Sequence, residues 1–429
     1  MEISSIIGII IFLSGYILIA LEHKIKLNKS ATALFTAGFL WLLVGLTQKS
    51  KVKIHHQLEV AGAEVFNILI FLLTAMTLVE VLIHYNFFDL IRIKLLDLKL
   101  DDKKQFIIIG ILTFFLSSLL DNLTISIVMT QIARRFFKKE NLLKVASGII
   151  ILANAGGAWS PIGDVTTIML WLADKFTAFE VISMGILPSI VLGITVLIML
   201  GKKIEKNTGD NYENNKIQLT RGEKLVITVT LTGFLLPLVM NYFGLQPYIG
   251  LLLALGVVWT LIELLQIRSR VKTHLEADID KLVKKVDLGS LKFFVGILLA
   301  VSALNSLGIL KKFSLFLFGE KEEVLRIIIS NIFLGLFSAI FDNVPLTAIA
   351  IDMIKTTDPR LWVLLAITVG TGGSLLLIGS VAGVVVMGMI KELTFDKYFK
   401  IAFLPALIGY LAAIITWGLQ FFLIGKPSF

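Results

Sequence analysis

The sequence lacks several residues and patterns on which common protein functions depend. It contains no cysteine, which excludes disulfides, thiolate metal sites and iron–sulfur clusters. The HExxH zinc motif, the Walker A phosphate loop and the GxSxG nucleophile motif are also absent. We therefore predict a protein that is not an enzyme and that needs no cofactor.

Charged residues are scarce, whereas apolar residues are abundant. Asp, Glu, Lys and Arg make up 17% of the 429 residues, and hydrophobic residues make up 56%. Soluble domains contain about 25% charged residues, so this composition excludes a soluble enzyme or a DNA-binding protein. The net charge of +9 comes from basic residues in loops between apolar runs, which does not indicate nucleic-acid binding. The predicted partner is the lipid bilayer.

Several apolar segments fit a plain membrane crossing, for which a bilayer core of about 30 Å requires about 20 helical residues. The first of them follows a start without basic residues, so we interpret it as a span and not as a removable signal peptide. The adjacent His55 and His56 precede the third span, where we predict a short polar loop. The predicted plain spans are 4–21, 31–47, 60–83, 180–200, 223–243, 247–266, 289–310 and 398–425.

Four further apolar segments carry polar or helix-breaking residues near their middle. Segments 105–136 and 323–355 each contain an Asp-Asn pair, which predicts two re-entrant helical hairpins. Segment 142–173 would be about 48 Å long as one helix, too long for an unbroken span. It contains a glycine cluster, as does 361–390, so both are predicted to be broken transmembrane helices. Each hairpin precedes a broken helix with matching spacing, so the chain contains an internal repeat.

The distribution of basic residues predicts how the two repeats lie in the membrane. With both hairpins re-entrant, 29 of the 40 Lys and Arg residues fall on one side, which is then cytoplasmic. Five crossings separate the hairpins, so the hairpins enter from opposite faces and the repeats are inverted. Inverted repeats with broken helices are typical of secondary transporters. Both chain termini are predicted to be non-cytoplasmic.

The predicted fold class is an all-α polytopic membrane protein with two inverted repeats, about 10 transmembrane segments and 2 hairpins. The predicted regions are N-terminal spans at 1–59, repeat 1 at 60–200, a cytoplasmic linker at 201–222 and repeat 2 at 223–429. The basic amphipathic segment Phe87–Leu100 is predicted to lie on the cytoplasmic membrane surface. A second one, Val271–Val286, fits that location or a solvated connector equally well.

Three aspartates, Asp121, Asp164 and Asp342, fall near the middle of apolar segments. A charged side chain at the bilayer centre costs about 2.5–3.5 kcal/mol on insertion scales, and no Lys or Arg lies nearby in sequence. A bound cation or a proton would compensate this charge. The alternative is that each carboxylate only caps the N-terminus of a half-helix.

Oxygen-bearing side chains of the type preferred by hard cations surround these aspartates. We predict a Na⁺ site at Asp121 and Asp164 with nearby hydroxyl and carbonyl oxygens. Burial favours a protonated carboxylate and a bound cation favours an ionised one, so sodium and protons would compete for this site. The other predicted cation- or proton-binding residues are Asn122, Thr124, Asn154, Thr166, Thr167, Asp342 and Asn343. Weaker candidates are Ser126, Ser160, Thr347, Ser374, Ser380, Glu80 and His84.

The stretch Asn154–Thr167 (NAGGAWSPIGDVTT), with LDNLT at 120–124 and FDNVP at 341–345, resembles the NhaD-type sodium/proton antiporter family. The resemblance extends from about residue 60 to the C-terminus. It implies exchange of Na⁺, and often Li⁺, for H⁺, and a homodimer with a scaffold and a moving transport part. It also implies that the family's polar site residues map onto Asp121, Asn122, Thr124, Asn154, Asp164, Thr166, Thr167 and Asp342.

Other members of the same superfamily, the ion transporter superfamily, are sodium-coupled organic anion symporters and arsenite-type oxyanion permeases. Their carboxylate transporters carry Ser-Asn-Thr at the hairpin tips, whereas the tips here carry Asp121 and Asp342. Negative charge at the tips favours a cation as the substrate. An intramembrane aspartyl protease would need Gly-x-Gly-Asp, but Pro161 occupies the first glycine position. The predicted location is a bacterial inner membrane, with a plastid envelope as the alternative.

Overall fold

The computed structural model of the protein describes residues 3–20, 25–98, 100–205, 219–268, 277–318 and 323–423. These residues form helices and connections, and no strand occurs among them. Within these ranges, seven helical segments are long and apolar enough to cross a membrane. The protein is therefore an all-α, multi-pass membrane protein, as predicted. Residues 206–218 of the predicted linker and 271–276 of the second amphipathic segment lie outside the described residues.

The helices are numbered in chain order. Those of the first half are α1 (Ile3–Ala20), α2 (Lys29–Thr47), α3 (Lys51–His84), α4 (Phe87–Asp97), α5 (Asp102–Ser117), α6 (Asn122–Phe136), α7 (Lys139–Gly157), α8 (Val165–Leu172) and α9 (Ala178–Gly201). Those of the second half are α10 (Arg221–Gly233), α11 (Leu236–Tyr242), α12 (Pro247–Arg268), α13 (Ile279–Val283), α14 (Leu288–Ser306), α15 (Ile309–Phe318), α16 (Val324–Phe337), α17 (Asn343–Met353), α18 (Pro359–Gly372), α19 (Val381–Met389) and α20 (Phe395–Leu423).

Three predicted plain spans differ from the helices observed. The prediction of a polar loop at His55 and His56 is wrong, because both residues lie in α3. His55 Nε2 lies 3.2 Å from the carboxylate of Glu59, one turn later in the same helix. The span 223–243 is divided into α10 and α11, because Pro237 cannot donate a backbone hydrogen bond and lies in the first turn of a new helix. The span 289–310 ends at Ser306, and α15 follows after Gly308, whose φ of +70° favours glycine.

Both predicted hairpins and both predicted broken helices are present. The first hairpin consists of α5 and α6, and the second consists of α16 and α17. Each first arm ends a few residues before an Asp-Asn pair, and the second arm begins at its Asn. The first broken helix consists of α7 and α8, and the second consists of α18, a 3₁₀ turn at Leu377–Gly379 and α19. The glycine clusters occupy both breaks.

Corresponding residues of the two repeats make the same contacts. The Ser117 hydroxyl donates to the Ala153 carbonyl over 2.7 Å, and the Ser338 hydroxyl donates to the Val369 carbonyl over 2.8 Å. Each serine lies four residues before the aspartate of its hairpin tip. These bonds join the first arm of each hairpin to the first half of its broken helix. The repeat inferred from the sequence is thus also a repeat of contacts.

The two hairpins enter from opposite ends of the first broken helix. Asn141, near the start of α7, donates to the Asp102 carboxylate at the base of the first hairpin over 2.8 Å. Lys175, just beyond α8, lies 5.0 Å from the ring centre of Trp362 at the start of α18, near the base of the second hairpin. We call the end that holds Asp102 and Asn141 the basic end, because α6 finishes there with Arg134 and Arg135.

The second arms of the hairpins pack on the opposite repeat. Helix α6 contacts α19, the second half of the other broken helix, and α17 contacts α8 in the corresponding way. Both Asp-Asn tips and both helix breaks therefore meet at one place inside the protein, where the candidate site lies.

Candidate functional site

Asp164 lies at the break in the first broken helix, immediately before α8, and is only 1% exposed. Thr167 holds the backbone there, because its hydroxyl donates to the Asp164 carbonyl over 2.8 Å. The glycines of the break pack backbone against backbone, and a Cβ on Gly157 would lie 2.7 Å from the Gly163 carbonyl oxygen. The sequence of the break thus allows a compact turn that buries a carboxylate.

The carboxylate of Asp164 accepts hydrogen bonds from both hairpin tips. The Asn122 side-chain amide donates to Oδ1 over 3.1 Å, and the Asn343 amide donates to Oδ2 over 3.2 Å. Asn122 and Asn343 occupy the same position in the two repeats. Hydrogen bonds to a carboxylate favour its ionised form, so both tips stabilise a negative charge on Asp164.

A second chain of hydrogen bonds connects the two broken helices. The Asn122 amide also donates to the Asn154 side-chain oxygen over 3.0 Å, and the Asn154 amide donates to the Ser374 hydroxyl over 2.7 Å. Asn154 and Ser374 are both almost completely buried. The predicted residues Asn122, Asn154 and Asp164 are therefore brought together, and Ser374 of the other repeat joins them.

Asp121 and Asp342 cap the second arms of their hairpins. The Asp121 carboxylate accepts from the Thr124 backbone N–H over 2.8 Å, and that of Asp342 accepts from the Val344 backbone N–H over 3.1 Å. The capping role considered from the sequence is thus present at both tips. Both aspartates also line a central cavity between the hairpin tips, so their carboxylates can make a further interaction there.

A small cavity of about 60 Å³ lies between the hairpin tips and the helix breaks. Its apolar wall includes Phe71 and Met76 of α3 and Phe294 of α14. Its polar lining consists of Asp121, Asn122, Asp164, Ser290, Asp342, Asn343 and Ser380. One water needs about 10–15 Å³ of such space, so the cavity has room for a small ion or a few waters.

The three aspartates do not form one compact metal cluster. Within the described ranges, no three acidic or histidine side chains come close enough to hold a metal ion together. The oxygen atoms around the cavity come instead from carboxylates, amides and a serine hydroxyl of both repeats. Such a mixed set of oxygen donors suits a hard cation better than a metal that prefers imidazole or thiolate.

The remaining candidates lie at various distances from this cavity. Thr166 is fully buried beside Asp164, and Ser380 lines the cavity while its hydroxyl caps α19 through Gly383. The hydroxyls of Ser160 and Thr347 bond to nearby backbone, at Ile162 and Asn343. Ser126 is buried one turn beyond Asn122 on α6. Glu80 and His84 are not among the residues that line the cavity, because they lie at the end of α3 toward the basic end.

Two residues of the site were not anticipated from the sequence. The Tyr16 hydroxyl of α1 accepts a hydrogen bond from the Asp342 backbone N–H over 3.0 Å, which holds the second hairpin tip. Ser290 of α14 lines the cavity. Tyr16 is part of a plain span outside the repeats, so its sequence context carries no signal of this contact.

Two inverted hairpins and two broken helices that meet at a buried polar cavity define a secondary transporter. The sequence profile of a family described as citrate transporter, CitMHS, matches residues 16–370. Sodium/proton antiporter 2 of Arabidopsis thaliana is 36% identical over 420 aligned residues, covering 95% of this chain and 98% of that protein. The Na⁺/H⁺ antiporter NhaD of Alkalimonas amylolytica is 31% identical over 449 aligned residues, covering 96% of this chain and 90% of that protein.

NhaD of Vibrio cholerae serotype O1 is 28% identical over 437 aligned residues, covering 95% of this chain and 90% of that protein. The chain belongs to the family of the matching profile and, within this relationship, to the NhaD-type sodium/proton antiporters. The resemblance noted from residues 120–124, 154–167 and 341–345 is therefore confirmed over most of the chain.

Proposed function

We propose that the protein exchanges Na⁺ for H⁺ across the membrane and that both ions compete for the carboxylate of Asp164. The observation that carries this proposal is the position of Asp164, buried in a small cavity and bonded to the tips of both hairpins. Homologous proteins along nearly the whole chain are named sodium/proton antiporters, which supports the same exchange. Li⁺ is a further expected substrate.

The chemistry of the exchange follows from the charge of the cavity. Asp121, Asp164 and Asp342 would place three negative charges around a space of about 60 Å³ whose remaining lining is apolar or uncharged. Buried charges without compensation are too costly, so the cavity must take up a cation or protons. When Na⁺ binds, carboxylate and amide oxygens can coordinate it. When the proton concentration rises, Asp164 takes up a proton and loses its attraction for Na⁺.

Transport of an organic anion is the competing proposal, and the description of the matching family profile as citrate transporter favours it. Two features of the cavity oppose it. A space of about 60 Å³ is too small for a tricarboxylate, since pockets for small organic ligands measure about 300–1,000 Å³. The three aspartates would also repel a carboxylate substrate.

A further cavity supports alternating access as the mechanism. It has a volume of about 150 Å³, lies at the end opposite the basic end, and is lined by Glu64 and Asp352 among others. We call it the outer cavity. Ile68 and Met169 line the outer cavity, whereas Leu72, one turn after Ile68, and Ile168, next to Met169 in the chain, line the central cavity. This apolar layer would be the closed barrier on one side, and movement of the hairpins would open it.

The orientation proposed from basic residues puts the basic end in the cytoplasm and the outer cavity on the other face. Both termini would then be non-cytoplasmic. The location proposed is a bacterial inner membrane, where such exchange serves pH and salt homeostasis, and the proposed assembly is a homodimer.

Everted vesicles from a host without its own antiporters test the proposed exchange. The vesicles are acidified inside, and NaCl, LiCl, KCl or sodium citrate is added in turn. We expect NaCl to make the lumen more alkaline and sodium citrate to have the same effect. A response to citrate but not to chloride would establish an anion substrate instead, and no response to any sodium salt would overturn the proposal.

A further inference from the structure

A surface cavity of about 480 Å³ lies between the amphipathic helix α4 and the last turns of α6. Its rim carries Arg92 from α4 and Arg134 and Arg135 from α6. Its inner wall is apolar and includes Phe88 and Val128, both of which are mostly buried. The cavity thus combines a strongly basic rim with an apolar wall, and it is separate from the central cavity.

The positive charge at this rim is only partly compensated. Asp89 also lines the cavity, but it forms an ion pair with Arg92 over 3.0 Å. Arg134 and Arg135 are exposed, and neither forms an ion pair within the described part of the chain. Two adjacent guanidinium groups therefore remain to bind an anion from outside the protein.

The position of the cavity points to a membrane component as that anion. Helix α4 carries apolar and basic residues, as expected for a helix that lies in the headgroup layer. Helix α6 ends beside it with two arginines, at the end of the hairpin arm farthest from the tip. The fork of an arginine guanidinium matches the geometry and charge of a phosphate group.

We propose that this cavity binds the phosphate of an anionic phospholipid at Arg134 and Arg135, with an acyl chain along the apolar wall. A soluble phosphate would use the rim but leave the wall of Phe88 and Val128 uncovered, which is why a lipid fits better. Asn122 begins the same helix that Arg135 nearly ends, so the lipid would join α4 to the hairpin arm that contacts Asp164.

Binding of lipid to the purified full-length protein tests this inference without measuring transport. The protein in a neutral detergent is titrated with phosphatidylglycerol, with phosphatidylcholine or with inorganic phosphate, and bound lipid is counted by native mass spectrometry. We expect saturable binding of phosphatidylglycerol, little of phosphatidylcholine, and no competition from millimolar phosphate. Phosphate that displaces the lipid, or equal binding of both lipids, would overturn the proposal.

The double variant Arg134→Gln, Arg135→Gln is expected to weaken phosphatidylglycerol binding about thirtyfold, the effect of removing two basic residues from an anionic surface. The matched control is Lys311→Gln, Lys312→Gln, an adjacent exposed basic pair on α15, the helix before the second hairpin. This control should bind the lipid as the unaltered protein does. Equal losses in both variants would show a general charge effect and contradict the site.

A third variant distinguishes loss of the binding site from loss of folding. Arg134→Lys, Arg135→Lys keeps the charge but not the fork, so we expect an intermediate affinity for phosphatidylglycerol with unchanged thermal stability. Affinity in the Lys variant equal to that of the unaltered protein would show that charge alone binds the lipid and would contradict recognition by the arginine fork.

Discussion

Asn122 and Asn343, which occupy the same position in two inverted repeats, donate hydrogen bonds to the two carboxylate oxygens of one residue, Asp164. The repeats are thus equivalent in backbone but unequal in chemistry. Ser380 occupies the position in the second repeat that corresponds to Asp164, and its hydroxyl only caps a helix among the bonds described. Two repeats of similar backbone structure therefore surround the carboxylate of Asp164, which we call the central acid.

Replacing the central acid should abolish exchange. Asp164→Asn keeps the size of the side chain but can neither carry a negative charge nor take up a proton, so we expect sodium-dependent proton movement to fall to the background of empty vesicles. The matched control is Asp174→Asn, an exposed aspartate with φ of +52°, a conformation that Asn also adopts. Normal exchange by a membrane-inserted Asp164→Asn variant would contradict the proposed role.

Removing either hairpin-tip amide should weaken sodium binding. Asn122→Leu or Asn343→Leu deletes a donor to an ionised group, a bond worth about 1.5–3 kcal/mol, so the KM for Na⁺ should rise roughly ten- to hundredfold. Without the amide donor, the protonated form of Asp164 is favoured over the ionised form that binds Na⁺. Raising the pH should therefore restore part of the affinity for Na⁺.

The control for the amides is Asn331→Leu, which makes the same change at a buried amide of α16 that donates to the Leu361 carbonyl. We expect lower thermal stability in this variant and an unchanged KM for Na⁺. If the KM rises equally in all three variants, the tip amides have no special role at Asp164.

The close approach of hairpin and broken helix should not tolerate a methyl group. A Cβ at Gly372 would overlap the Gly335 carbonyl oxygen, and one at Gly156 would overlap that of Phe114. Gly372→Ala should therefore cost about 1–3 kcal/mol of stability and lower the Tm in detergent. Gly418→Ala, in a helix with open space around it, should leave the Tm unchanged or raise it slightly. A Gly372→Ala protein as stable as the unaltered one would refute this packing.

The apolar layer between the outer and central cavities can be tested with introduced thiols, because the chain contains no cysteine of its own. Ser302→Cys lines the outer cavity and Ser290→Cys lines the central cavity. A membrane-impermeant thiol reagent added on the non-cytoplasmic face should label Ser302→Cys much faster than Ser290→Cys. Equal labelling would show that the layer of Ile68, Leu72, Ile168 and Met169 is no barrier.

The sequence predicted the repeat and its breaks because their signals are local. An Asp-Asn pair in an apolar segment and a glycine cluster in a long one both interrupt a helix, whatever surrounds them. The prediction of a polar loop at His55 was wrong because a transmembrane helix can extend into water, where polar pairs such as His55 and Glu59 stabilise it. The division at Pro237 was missed, although proline was the available signal.

The partners of the central acid could not be predicted, because side-chain contacts across the site join distant parts of the chain. Asn343 is 179 residues away from Asp164 in sequence, and Tyr16 is 326 residues away from Asp342. Sequence reasoning identified Asn122 and Asn343 as oxygen donors to a cation, whereas both amides donate to a carboxylate in this structure. Which atom of an amide faces a neighbour depends on the completed fold.

The packing of each second arm on the opposite repeat bears on how such a site could arise. Helix α6 packs on α19 as well as on α7 of its own repeat, and α17 packs on α8, so the central cavity is lined by residues of both repeats. A protein with one copy of the repeat would have needed a second molecule, inserted upside down in the same membrane, to complete it. The structure of each repeat thus constrains that of the other, and a change at either hairpin tip must be accommodated by the opposite repeat.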